Sequence, residues 1–156
     1  MDYSYFQLTL GRPRAAQIEA AKALRSADPA PLAVFSPLLG FASDSLLVLY
    51  AGEVDPGPVL TARGVVAGEG WRLAPTLRPQ APAPPMAGGV YVHNWFTIDA
   101  DAVDEFVRLS GEAWPDFEAR FETRIFGLFL ADAGAEDLRT GSRRLLLMTR
   151  YRDLGE

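Results

Sequence analysis

The residues best equipped for chemistry lie in one short stretch, Gly-Gly-Val-Tyr-Val-His-Asn-Trp-Phe-Thr-Ile at positions 88–98. It holds the only histidine of the chain, His93. An imidazole with an ordinary pKa of about 6.5 can act as a general base near neutral pH, and it can ligate haem iron. A second candidate is Arg150, inside Leu-Leu-Leu-Met-Thr-Arg-Tyr at 145–151. A guanidinium in so apolar a run is costly to bury unless it meets a carboxylate or an anionic ligand. It is therefore a candidate clamp for a carboxylate or for an enolate-like oxygen. Tyr91 and Trp95 stand two residues either side of His93, and Tyr151 follows Arg150, so these three are candidate ligand-binding residues of an apolar pocket. The plainer reading stands beside this one. His93 is then hydrogen-bonded inside a filled interior, and Arg150 emerges at a strand end to pair with Asp153 or Glu156. Strand alternation places Tyr91, His93, Trp95 and Thr97 on one face and Val92, Asn94, Phe96 and Ile98 on the other. The second set has the character of a face packed on a helix.

Composition removes several other chemistries. With no cysteine among 156 residues, disulfide frameworks, thiolate metal sites, iron–sulfur clusters and cysteine nucleophiles are excluded. Glu112, Asp116, Glu118 and Glu122 recur at helical spacing, but no histidine joins them on that helix, so they read as a solvated face. No metal site and no cofactor are expected. Gly68-Glu69-Gly70 lacks the rest of a dinucleotide fingerprint, and there is no P-loop. There is no Gly-x-Ser-x-Gly elbow either, and a single histidine leaves a serine hydrolase with little support. The net charge of −5 argues against nucleic-acid binding, which needs a clustered basic face. No apolar run reaches the roughly 18 residues of a membrane span, and the N-terminus has no secretory signal pattern, so a cytoplasmic protein with no membrane partner is expected. Lys22 is the sole lysine among 15 basic residues. With abundant Ala, Gly and Pro, that bias suggests a GC-rich bacterial coding sequence.

The elements that must position these residues fall into two passes of one pattern. Residues 3–10 alternate as a strand ended by Gly11 and Pro13. Residues 14–27, with Ile18, Ala21 and Leu24 at helical spacing, predict a helix closed by Pro29. Leu32–Gly40 and Leu46–Gly52 predict a β-hairpin, Pro58–Gly64 a short helix, and residues 71–77 a further strand. Residues 75–89 carry five prolines, which favours an extended, semi-rigid connector. Then the order repeats: a strand at 90–98, an N-cap from Asp99 or Asp101, and an apolar stripe of Val103, Phe106, Val107, Trp114, Phe117 and Phe121. Pro115 is expected to kink or split that helix. Strands at 124–130 and 145–151 follow, separated by a polar loop. The expected organisation is a unit at 1–74, a connector at 75–89 and a second unit at 90–156. A strand–helix–strand–strand order used twice implies an α+β protein of two ferredoxin-like units, with antiparallel sheets paired in a barrel-like arrangement.

The stretches "GVYVHNWFTIDADAVDEFVRLSGEAWPDFE", "RIFGLF" and "LLLMTRYRDL" resemble NIPSNAP-like proteins of the dimeric α/β-barrel superfamily. The resemblance is clearest over residues 88–154; over residues 1–75 it rests on element order and on "WRLAPTLRP". It implies ferredoxin-like units in a superfamily that includes cofactor-free monooxygenases, isomerases, decarboxylases, haem enzymes and proteins without a known reaction. Members continue through a further helix and strand where this chain reaches Leu154-Gly155-Glu156. The second unit is thus expected to lack its last elements and to have its open edge met by a partner chain, giving a homo-oligomer. Two functions follow. One is a small-ligand-binding or assembly module of undefined activity. The other is a cofactor-independent monooxygenase or isomerase for a small apolar or aromatic substrate, in which His93 takes a proton and Arg150 stabilises the oxyanion.

Overall fold

The computed structural model describes residues 1–12 and 14–155, apart from the side chain of residue 16. Pro13, expected to end the first strand, and Glu156, a suggested partner for Arg150, lie outside the described residues. The protein is α+β, and the chain divides into two compact units, Met1–Arg72 and Leu73–Glu156.

The first unit runs β1 (Tyr3–Leu10), α1 (Arg14–Arg25), β2 (Ala33–Phe35), β3 (Ser45–Ala51), α2 (Pro56–Leu60) and the start of β4 (Val65–Pro75). Its strand order is β2-β3-β1-β4. β1 and β3 pair antiparallel from Tyr3↔Ala51 to Thr9↔Ser45. Period-two alternation sends Phe6, Leu8 and Leu10, with Leu46, Val48 and Tyr50, to one face. There they form a buried core with Ala20, Ala21 and Leu24 of α1. Small alanines at the contact let the helix sit close over the strands. The hairpin is shorter than its apolar runs suggest, because β2 keeps only three residues on β3. α2 starts at Pro56, where Asp55 accepts a hydrogen bond from Gly57 N at 2.9 Å and proline suits the first helical turn. β4 begins at Val65, six residues ahead of the strand expected there. The two glycines of that stretch leave room for neighbours. A Cβ at Gly70 would meet the Phe6 ring at 2.7 Å, and one at Gly68 would meet Leu8 and Leu60 at 2.8 Å.

The second unit continues from the end of β4 through β5 (Val90–Asp99), a 3-10 turn (Ala100–Ala102), α3 (Val103–Arg120), β6 (Arg124–Ala131), α4 (Ala135–Thr140) and β7 (Ser142–Tyr151). Its strand order is β4-β6-β7-β5. β5 lies antiparallel on β7 over its whole length, from Val90↔Tyr151 to Asp99↔Ser142. α3 packs Trp114, Phe106, Val107 and Phe117 on Ile98, Ile125, Leu128, Leu145 and Leu147, and the Phe96 ring stacks on Phe106 at 5.2 Å.

Three expectations change here. α3 runs unbroken through Pro115. The residue four positions earlier is Gly111, whose backbone latitude accommodates the proline ring. Asp99 occupies the cap position of the 3-10 turn, but neither it nor Asp101 caps the helix through its side chain. The polar loop between the last two strands contains α4. That short helix is held by Asp137, which accepts from Gly134 N at 2.8 Å and from Arg144 at 3.0 and 3.1 Å.

The proline-rich connector is fastened to the second unit. Thr76 N and Oγ1 both donate to Leu128 O, at 2.9 and 2.8 Å. Arg78 donates to Glu118 at 2.8 Å and to Ile125 O at 3.3 Å. The Arg78 guanidinium also lies 5.2 Å from the centre of the Trp114 ring. Pro79 covers Gly127, where a Cβ would come within 2.8 Å of the proline ring.

Candidate functional site

β5 and β7 place four of the five sequence candidates together. Directly paired residues of an antiparallel ladder share a face. Tyr91 pairs with Arg150, His93 with Met148 and Trp95 with Leu146. Tyr91, His93, Trp95 and Arg150 therefore lie on the face opposite α3, above a row containing the fully buried Leu146, Met148 and Phe129. Tyr151 pairs with Val90 and lies on the other face. Strand alternation separates it from Arg150, its neighbour in sequence.

The four candidate side chains of this face are half-buried, and desolvation acts most strongly at His93. The His93 Nε2 is shut off from solvent, and burial pulls the imidazole pKa down to about 4. The ring is therefore neutral at physiological pH and a weak base. The Arg150 Nε donates to Gly88 O at 2.9 Å, and Tyr91 donates its hydroxyl proton to Met86 O at 2.8 Å. Both side chains hold the end of the connector against the strands. Desolvation raises the Tyr91 pKa, outweighing the opposing effects of the Arg150 charge and the Met86 hydrogen bond. Among the described residues no group of three or more His, Asp or Glu side chains is arranged to hold a metal ion.

A second arrangement, which the sequence reading missed, lies wholly in the first unit. A groove of about 780 Å3 runs along α1 and is lined by Arg12, Arg14, Lys22 and Arg25, by Ser36, Ser43 and Ser45, and by apolar groups including Leu10, Ile18 and Leu46. The helical contribution, Arg14, Gln17, Ile18, Ala21, Lys22 and Arg25, repeats at three and four residues and so forms one face of the helix. The opposite wall is the chain leaving β2 and entering β3. Among the described residues no carboxylate lines the groove, although the chain as a whole carries −5. Asp44 stands 3.9 Å from the Arg12 Nε, and Glu19 is 3.1 Å from Lys22. Arg14 and Arg25 enter no ion pair among the described residues. A signal was present in the sequence. α1 has no acidic residue in its first turn and begins with Arg14. Positive charge there opposes the helix dipole, so the helix bears a cost that an anion would relieve.

Compared with family models, with curated proteins and with solved structures, the chain matches none.

Proposed function

We propose that this chain is a NIPSNAP-like small-ligand-binding module whose ligand is anionic with an apolar body, held in the α1 groove. The observation that carries this reading is the groove itself. It combines four cations, three serine hydroxyls and an apolar floor, with no lining carboxylate among the described residues, and its volume falls within the range of small-molecule sites. Its described lining offers binding groups and holds no histidine. The enzymatic alternative, a cofactor-independent monooxygenase or isomerase using His93 and Arg150, has less support. A base with a pKa of about 4 is poorly matched to proton abstraction near neutral pH, and Arg150 is engaged by Gly88.

Ferredoxin-like units, paired in a barrel-like arrangement, belong to the same proposal. Their support is the β2-β3-β1-β4 order of the first unit and the β6-β7-β5 order of the second. So does a homo-oligomer, supported by the open outer edge of β5.

Titration with anilinonaphthalene sulfonate, an aromatic anion that fluoresces when bound, tests the groove. The wild type is expected to bind it in a salt-sensitive manner, and Arg14→Glu/Arg25→Glu to bind it about tenfold more weakly, a loss of about 1.4 kcal/mol. Equal titrations for the two proteins would defeat the reading.

A further inference from the structure

The groove has two cationic ends and an apolar middle, and we infer that its ligand is an elongated organic dianion: two carboxylate or phosphate groups joined by an apolar chain. This inference rests on the groove being the binding site. Arg12 and Arg14 stand at one end of α1, Lys22 and Arg25 at the other, with Ile18 and Ala21 between them on the same face. Arg14 and Arg25 are eleven residues apart, so their Cα atoms are separated by roughly 16 Å along the axis at 1.5 Å per residue. They differ by only about 20° around it at 3.6 residues per turn. A compact anion reaches one end or the other. A ligand charged at both ends, with a chain of that length, reaches both.

The floor supports the apolar middle. Leu10 and Leu46 are buried beneath it, while Ile18 remains 50% exposed although it is flanked by Arg14 and Lys22 one turn away on either side. An exposed isoleucine between cations is the contact an acyl chain would cover. The two ends are not equivalent. At the Arg14 end the side-chain charges and the positive pole of the helix act together, whereas at the Arg25 end the cations face the negative pole. A ligand with a single charge is therefore held at Arg12 and Arg14, and the second charge of a dianion engages Lys22 and Arg25.

Isothermal titration calorimetry of the full chain with tetradecanedioate, tetradecanoate and succinate, each below its micelle-forming concentration, tests this. Tetradecanedioate is expected to bind about tenfold more tightly than either of the others. Arg25→Ala should bring the long dianion down to the affinity of tetradecanoate and leave tetradecanoate unchanged. Arg14→Ala should weaken both long ligands. Circular dichroism of each variant establishes that it is folded. Equal affinities for tetradecanoate and tetradecanedioate would overturn the two-ended ligand while leaving an anion site in place. No binding of any of the three, or binding undiminished in Arg14→Glu/Arg25→Glu, would overturn the site as well.

Discussion

His93 shows how tertiary surroundings redefine a residue that composition singles out. Alone, it is a neutral-pH base; on the β5 face above Met148 it is an enclosed neutral ring with a pKa of about 4. The depressed value gives a signed consequence. Below the unfolded pKa of about 6.5 the unfolded chain binds a proton that the folded chain refuses, so stability falls as the pH drops from there toward 4. The loss expected between about pH 7 and pH 5 is about 2 kcal/mol. Urea unfolding at the two values, in the wild type and in His93→Phe, checks this; a loss of the same size in the variant would show that the ring is not its source. Arg150 teaches the same lesson: an arginine in an apolar strand need not hold a ligand, since here its Nε meets the carbonyl of Gly88.

At the scale of elements, the connector and α3 depend on one another through Arg78. Its bond to Glu118, the Ile125 N–H that the same carboxylate accepts at 2.8 Å, and the Trp114 ring beneath its guanidinium tie residues 76–79 to the helix and to β6. Burial alone would raise the Glu118 carboxyl, but the bonds from Arg78 and Ile125 and the charges of Arg78 and Arg124 hold it below its ordinary value. Arg78→Ala is expected to cost about 2 kcal/mol in chemical denaturation, as hydrogen bonds to a charged group and a cation–π contact are lost. Because the Glu118 pKa is depressed, its stabilisation is present above its unfolded value and fades as pH falls through the folded one. The gap between wild type and Arg78→Ala should therefore narrow in acid; a gap independent of pH would remove Glu118 from the account. The five prolines of residues 75–89 predict an extended connector. That it is pinned to the second unit depends on Arg78 meeting a carboxylate 40 residues away, which no local pattern reveals.

Across the whole molecule, an outer edge and an uneven charge distribution remain to be used. β5 ends the strand order of the second unit, and its ten residues carry one formal charge at neutral pH, on Asp99. Long edges of this kind invite pairing with another strand unless charges or bulges blunt them. Sedimentation analysis at micromolar concentration is expected to show a dimer or larger species, and a clean monomer would refute that expectation. The sequence by itself determined the α+β class, most strand and helix positions, and the face assignment of β5, because period-two and period-3.6 patterns are local and burial enforces them. It also excluded thiolate chemistry through composition alone. Only the tertiary structure decided that His93 is neutral, that Arg150 pairs with Tyr91 across β5 and β7, and that the chain leaving β2 and entering β3 walls the cations of α1 into a groove. Those outcomes follow from cross-strand register, desolvation and the packing of a helix beside a loop, all of which join residues distant in sequence.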